Sequence, residues 1–124
     1  MKKYGLGFDG ESFAVSYLEG LGFEILEKNF TSRFGEIDII AVTPDRKYLC
    51  FVEVKTRKSD KNFATGFESI SAAKQRKIIK TAEYYIATHS RLIERDNLQP
   101  RFDCIEVNVD DNVDLKLITN AFGT

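Results

Sequence analysis

Two neighbouring strand-like runs carry acidic residues within otherwise apolar sequence, and this pattern restricts the possible folds more than any other feature of the chain. The first run covers residues 35–41 and contains Asp38, and the second covers residues 51–55 and contains Glu53 and Lys55. Because side chains alternate between the two faces of a strand, Glu53 and Lys55 share one face of the second run. The pattern predicts a β-hairpin that carries two carboxylates and a lysine on one face.

The segment between the two runs, residues 44–47, has the composition of a turn. If positions 45 and 46 form a two-residue loop, the numbers of paired residues add up to 91. Asp38 then lies directly opposite Glu53, and Glu36 lies opposite Lys55. The sequence therefore predicts a pair of opposed carboxylates.

Opposed carboxylates repel each other unless something relieves the repulsion. Directly opposed residues have Cβ atoms about 5 Å apart, and two unit charges at that distance repel by about 3 kcal/mol at an effective dielectric constant of about 20. A divalent cation, a raised pKa or a different register would relieve this repulsion. Since carboxylate oxygens suit magnesium or manganese, we expect Asp38 and Glu53 to hold one such ion. The alternative is that both are ordinary solvated positions on an exposed sheet face.

Asp38 followed by Glu53-Val54-Lys55 resembles the PD-(D/E)xK motif of the restriction-endonuclease-like nucleases, which include the archaeal Holliday-junction resolvases. Ile37 stands where that motif has proline. A set of short segments spread over nearly the whole chain resembles, in combination, the uncharacterised bacterial YraN family. These segments are Gly10-Glu11, Gly35-Glu36-Ile37-Asp38, residues 51–57, Arg101-Phe102-Asp103 and Asn120-Ala121-Phe122. The resemblance implies a restriction-endonuclease-like fold. It also implies that Glu11 assists the metal site, as a glutamate of the first helix does in the resolvase-like nucleases.

Hydrophobic periodicity predicts an α/β fold in which helices flank a central mixed β-sheet, with the element order α-β-β-β-α-β-β. We expect helices over residues 9–21 and from the N-cap Ser71 to about His89, with a polar connector over residues 90–100. We expect strands over residues 23–30, 36–42, 48–55, 101–109 and 113–121. The chain of 124 residues is predicted to form a single domain over residues 1–124.

Positive charge is concentrated between residues 55 and 80. This segment has eight basic and two acidic residues, a net charge of +6, whereas the rest of the chain carries −7. Cations beside the hairpin would lie where phosphates approach, which favours nucleic acid, most simply DNA, as the partner. The residues expected to contact nucleic acid are Arg57, Lys58, Lys61, Lys74, Gln75 and Lys77. The ordinary alternative is a solvated face, and for Gln75 a helix-edge amide that meets water.

These features predict a magnesium- or manganese-dependent endonuclease that hydrolyses phosphodiester bonds in DNA, with branched or junction DNA as a candidate substrate. Lys55 would orient the attacking water or stabilise developing negative charge. Glu11 would contact the water shell of the ion, although an acid in the first turn of a helix also stabilises the helix dipole without any catalytic role. The alternative function is a catalytically inactive nucleic-acid-binding module on the same fold. A third is a protein-interaction subunit with vestigial site residues.

Other classes of protein are disfavoured. No run of 18 apolar residues occurs, so we expect neither a membrane span nor secretion but a cytoplasmic protein. Cys50 and Cys104 lie in apolar strands without C-x-x-C spacing and are expected to be reduced core residues. Residues 5–10 match G-x-G-x-x-G, but no strand can precede them, which argues against a dinucleotide site. His89 is the only histidine, so a histidine-dependent mechanism has little support. The sequence allows a homodimer.

Overall fold

The computed structural model describes residues 9–58 and 70–123, except for the side chain of Lys58. Its elements in chain order are α1 (Gly10–Gly20), β1 (Glu24–Ser32), β2 (Gly35–Val42), β3 (Tyr48–Lys58), α2 (Ala72–Thr88), α3 (Ser90–Asp96), β4 (Gln99–Val109) and β5 (Val113–Phe122). The five strands form one mixed sheet in the order β1-β2-β3-β4-β5. β3 and β4 run parallel, and the other neighbouring pairs run antiparallel. This α/β architecture is consistent with the restriction-endonuclease-like fold predicted from the sequence.

Helices cover both faces of the sheet. On one face, α2 packs against β2 and β3 in a core that includes Ile40, Phe51 and Tyr85. On the other face, α1 packs against the same strands through Ala14 and Leu18. Because β2 and β3 are buried on both sides, their sequences are almost continuously apolar. A carboxylate within either strand therefore sits in a costly environment.

Capping contacts fix the boundaries of the two long helices. The side chain of Asp9 accepts a hydrogen bond from the backbone N–H of Glu11 at 3.0 Å, which caps the start of α1. At the other end, Gly22 adopts a φ of +98°, and Phe23 N–H donates to the Leu18 carbonyl at 3.0 Å, as in a Schellman motif. Ser71 caps α2 as predicted, since its side chain accepts the N–H of the residue three positions on. Among the described residues, no helix has the length and apolar character needed to cross a lipid bilayer.

The polar connector predicted over residues 90–100 is wrong. α3 occupies Ser90–Asp96, and β4 already begins at Gln99. Ile93 packs against the core on the α2 side, and Leu98 is buried in it. The packing of these two apolar side chains stabilises a short helix. Most of its other residues are charged, so the sequence pattern did not predict it. The predicted burial of the thiols is confirmed, because Cys50 and Cys104 are both buried and free.

The predicted register of the β2–β3 hairpin is confirmed, but its predicted two-residue loop is wrong. Pairs run from Val42 with Leu49 to Ile39 with Val52, and their numbers add up to 91. The connector has four residues, 44–47, because Thr43 N–H donates to the Tyr48 carbonyl at 3.1 Å across it. A four-residue loop centred on the same two positions gives the same register, so the prediction of the pairing survives the error in the loop.

Candidate active site

A cavity of about 440 Å³ lies where β2 and β3 separate, next to the first turn of α1. It brings together all four residues predicted to be catalytic and two of those predicted to contact nucleic acid. The residues that line it are Glu11, Asp38, Glu53, Val54, Lys55, Thr56, Arg57 and Lys74. Residues up to 63 positions apart in the sequence therefore meet at one end of the two central strands, and the hairpin pattern predicts this placement for Asp38, Glu53 and Lys55.

The strands separate at Asp38. Regular pairing between β2 and β3 ends at Ile39 and Val52, one step before Asp38 and Glu53. Asp38 Oδ2 instead accepts the backbone N–H of Val54 at 2.8 Å. A side-chain oxygen thus takes the place of a ladder carbonyl, which leaves the two carboxylates at the opening of the hairpin. The predicted pairing of Glu36 with Lys55 lies beyond the ladder, and Glu36 is exposed at a neighbouring cavity.

Glu53 is the buried carboxylate of the site, with 4% of its surface exposed. Burial, followed by the charge of Asp38, raises the pKa of Glu53 to about 7. Lys74, in the first turn of α2, opposes this effect by forming an ion pair with the Glu53 carboxylate. One of the three predicted forms of relief, a raised pKa, is therefore present, and a nearby cation that was not predicted adds to it. The cation is an ammonium group from the chain itself.

Glu11 reaches the cavity because α1 approaches β3 closely. Gly10 is buried against Thr56, and a Cβ atom at position 10 would lie 2.1 Å from Thr56 Oγ1. A larger residue would therefore push the first turn of α1 away from the strand. Burial, followed by the charges of Asp38 and Asp9, raises the pKa of Glu11. The placement agrees with the predicted role beside the carboxylate pair.

Lys55 lies half-buried on β3, and its partner in the parallel ladder with β4 is Glu106. Glu106 is fully buried, and its Oε2 lies 4.0 Å from Nη2 of Arg57. Glu106 was not among the residues predicted from the sequence. Its position beside Lys55 depends on the parallel β3–β4 register, which no local turn sets, so the only available signal was a glutamate inside an apolar strand.

The residues predicted to contact nucleic acid do not all lie in one place. Arg57 and Lys74 line the cavity at Glu53, and Lys77 lines a neighbouring one. Gln75 is half-buried and donates from Nε2 to the Ile70 carbonyl at 3.0 Å, so it holds the start of α2. Lys61 and the side chain of Lys58 lie outside the described residues.

A second buried carboxylate, Asp103, belongs to a separate cluster on β4. The side chain of Asp103 accepts two hydrogen bonds of 2.9 Å from the guanidinium of Arg101. It also accepts the backbone N–H of Asn120 at 2.9 Å, and Asn120 has a positive φ of 52°. These contacts hold β4 to β5 where their register shifts. The Arg-Phe-Asp segment and Asn120 therefore serve the architecture of the sheet edge.

The donor set suits a hard cation with few protein ligands. In residues 9–58 and 70–123, no group of three or more histidine, cysteine, aspartate or glutamate side chains is close enough to enclose a metal ion. Asp38 and Glu53 supply two carboxylates beside each other at the mouth of a cavity. Magnesium commonly uses one or two protein carboxylates and completes its shell with water and phosphate oxygens. The residues present therefore fit magnesium or manganese.

Comparison with known proteins identifies the family. The sequence model of Uncharacterised protein family UPF0102 matches residues 10–107, which include every described residue of the cavity. A UPF0102 protein of Clostridium perfringens is 46% identical over 110 residues, covering 87% of this chain and 84% of the relative. A UPF0102 protein of Caldicellulosiruptor saccharolyticus is 43% identical over 125 residues, covering 98% and 100%. One of Caldicellulosiruptor bescii is 47% identical over 120 residues, covering 94% and 96%. The chain belongs to UPF0102, which is the YraN family that its motifs resemble.

Proposed function

We propose that this protein is a metal-dependent nuclease that hydrolyses phosphodiester bonds in DNA. The observation that carries the proposal is the buried Glu53, whose pKa is raised to about 7 beside a second carboxylate at the mouth of a cavity. Such pairs are destabilising, and they concentrate at functional sites where a ligand relieves the repulsion. Lys55 lines the same cavity and supplies a cation for the reacting group.

Asp38 and Glu53 are the residues that would hold the ion. Asp38 Oδ2 is oriented by the Val54 N–H, which fixes the direction of its carboxylate. Glu53 is paired with the ammonium of Lys74, so binding of a divalent cation requires Lys74 to move away. When bound, magnesium or manganese polarises the scissile phosphate and makes water a better nucleophile at neutral pH.

The other side chains of the cavity act on water and phosphate. Lys55 orients the attacking water or stabilises the negative charge that develops on the phosphate. Glu11, whose pKa is raised beside Asp38, accepts a hydrogen bond from water at the carboxylate pair. Arg57 lines the same wall and is a phosphate ligand, because its guanidinium presents several donors to phosphate oxygens.

Lys74 and Lys77 extend this positive surface away from the cavity along α2. Once displaced from Glu53, Lys74 can contact a phosphate of the substrate. Lys58 and Lys61 belong to the same basic segment of the sequence and are proposed as further phosphate contacts. Gln75 uses one N–H of its amide to hold Ile70, and the second N–H of the amide is its proposed contribution to phosphate binding.

The Lys74–Glu53 ion pair favours one alternative function. An ammonium group already neutralises the buried carboxylate, so the fold can keep its charges balanced without a metal. In that case the protein is a nucleic-acid-binding module without catalytic activity. The two functions differ in whether the carboxylates respond to divalent cations.

Metal binding is tested by thermal unfolding in millimolar magnesium or manganese. A ligand that binds only the folded state adds RT ln(1 + [L]/Kd) to the free energy of unfolding, so the wild type should melt at a higher temperature. Asp38→Asn and Glu53→Gln should lose this response, whereas Asp114→Asn, an exposed position on β5, should keep it. Equal shifts in all four proteins would exclude the metal site.

Catalysis is tested with the same four proteins on branched, flapped, duplex and single-stranded DNA. Cleavage that requires the metal and disappears only in Asp38→Asn and Glu53→Gln supports the nuclease. Cleavage that persists in these variants points to a contaminating enzyme. Binding to DNA without cleavage by the wild type supports the binding module.

A further inference from the structure

Two further cavities continue the catalytic cavity along α2. The first, of about 350 Å³, is lined by residues that include Gly35, Lys74 and Lys77. The second, also of about 350 Å³, is lined by Phe34, Lys80, Glu83 and Tyr84. Lys74 lines both the catalytic cavity and the first of these. Phe34 and Gly35 are neighbours in the chain, so the three cavities follow one another.

A row of side chains on α2 forms one wall of this groove. Positions 74, 77, 80 and 84 are separated by three, three and four residues, which places them on one face of the helix. The β1–β2 turn forms the opposite wall. Gly35 has a φ of +150°, and a Cβ atom there would lie 3.4 Å from Cβ of Lys77 and 3.3 Å from Oγ1 of Thr81. A side chain at position 35 would therefore narrow the groove.

The chemistry of the groove changes along its length. The end near the catalytic cavity presents ammonium groups, whereas the far end presents aromatic rings. Tyr84 is 44% exposed, and its ring centroid lies 6.1 Å from that of Phe34. The guanidinium of Arg33 lies 4.9 Å from the Phe34 centroid. Exposed aromatic surface on a helix and a tight turn is costly in water, and it is the kind of platform on which nucleic-acid bases stack.

We propose that this groove binds a single-stranded segment of nucleic acid. One base stacks on the ring of Tyr84, with Phe34 beside it, and the backbone contacts Lys80, Lys77 and Lys74. The direction of the strand towards the catalytic cavity rests on the proposed nuclease function. An uninterrupted duplex does not satisfy the site, because its bases are already stacked and paired inside the helix.

The length of the groove sets the distance between the stacked base and the phosphate that is cleaved. Ten residues separate Lys74 from Tyr84, which corresponds to about 15 Å along a helix. The stacked base therefore lies a few nucleotides along the strand from the scissile phosphate. Glu83 at the far end repels phosphate, which favours an uncharged base there over a backbone group. A flap or a single-stranded overhang is therefore the substrate class that fits.

The experiment measures binding in EDTA, where cleavage cannot occur. Fluorescence anisotropy compares labelled oligothymidine with an abasic oligomer of the same length and charge. Aromatic side chains stack on bases but find no ring on an abasic sugar, so the wild type should bind oligothymidine about tenfold more tightly. Tyr84→Ala should abolish that preference, and Tyr84→Phe should restore it. Leu21→Ala, an exposed apolar residue at the end of α1, should have no effect.

Lys80→Gln provides a second readout. It should weaken binding of both oligomers equally and reduce the dependence of affinity on salt, because fewer counterions are released. Equal affinity of the wild type for the two oligomers would overturn the proposal, as would an equal loss of both in Tyr84→Ala. Dissociation of a homodimer by Tyr84→Ala in analytical ultracentrifugation, with both affinities unchanged, would instead assign the face to self-association. Absence of metal-dependent cleavage by the wild type overturns the nuclease alone, since stacking is measured without metal.

Discussion

Two buried carboxylates of this protein, Asp103 and Glu53, lie in opposite electrostatic situations. Asp103 receives a bidentate guanidinium and a backbone N–H, so its charge is balanced by groups that are fixed in the sheet. Glu53 lies beside another carboxylate, and its balancing cation is a lysine whose side chain is 49% exposed. The first arrangement satisfies the charge and stabilises the fold. The second arrangement leaves the charge of Glu53 dependent on a movable lysine, and a ligand can displace that lysine.

The largest expected effect is a difference in folding stability between substitutions of the two carboxylates. The charge of Asp103 should stabilise the folded protein, whereas the charge of Glu53 should destabilise it. Asp103→Asn leaves the half-buried charge of Arg101 without its counterion, and breaking a buried pair costs up to about 3–5 kcal/mol. Glu53→Gln removes a like-charge repulsion, so it should leave the metal-free protein as stable as the wild type or make it more stable. Urea denaturation at neutral pH measures both. Equal destabilisation by the two substitutions would abolish the distinction between a structural and a functional carboxylate.

A substitution of Lys55 tests whether Glu53 belongs to a catalytic site. Lys55→Met keeps the length of the side chain but removes its charge and donors. We expect it to preserve the fold and most of the metal affinity, while cleavage of flapped DNA falls at least about a hundredfold, or about 2.7 kcal/mol of transition-state stabilisation. Steady-state kinetics with circular dichroism of the same samples gives both quantities. Undiminished cleavage would place the chemistry elsewhere.

The sequence predicted the parts of the site that depend on local geometry. The register of the β2–β3 hairpin follows from a short connection, so Asp38 and Glu53 could be placed without knowledge of the rest of the fold. The electrostatic repulsion between these two carboxylates was predicted as well, because opposed carboxylates repel at any register that brings them together. Even the error in the loop length did no harm, since two-residue and four-residue loops with the same centre give the same pairing.

The parts of the site that depend on long-range contacts were not predicted. Lys74 was expected to bind phosphate, but its ion pair with Glu53 depends on how α2 packs on the sheet. Glu106 was missed because its place beside Lys55 follows from a crossover connection between parallel strands. Asp103 and Asn120 contributed to the family resemblance, yet only the fold shows that they lie in a structural cluster apart from the candidate active site. The short helix α3 was not predicted for a similar reason, because the tertiary packing of two apolar residues stabilises it.

Lys74 sharpens the comparison because it can be removed without altering either carboxylate. Its ammonium competes with a divalent cation for Glu53, so Lys74→Met should raise manganese affinity in the absence of DNA by about tenfold, or about 1.4 kcal/mol. Arg76→Met removes an exposed cation of the same helix and should leave the affinity unchanged. Isothermal titration calorimetry with manganese measures each Kd. Unchanged or weaker binding in Lys74→Met would show that the ion pair supports the metal site.

The smallest effect expected is the dependence of metal binding on pH. The pKa of Glu53 is raised from 4.5 to about 7, mainly by burial and then by Asp38. Between these values the folded metal-free protein binds a proton that the unfolded chain releases, so its stability falls as pH rises through this window. The ion requires the ionised carboxylate, and its affinity should therefore rise with pH over the same window and level off above about 7.

Thermal unfolding with and without manganese between pH 5.5 and 8 measures this linkage. The stabilisation by manganese should increase with pH in the wild type. Asp38→Asn removes the nearby charge that contributes to the raised pKa of Glu53, so without manganese the stability of this variant should stop falling at a lower pH than that of the wild type. A manganese effect of the same size at every pH would mean that Glu53 is ionised throughout, and that Lys74 alone balances its charge.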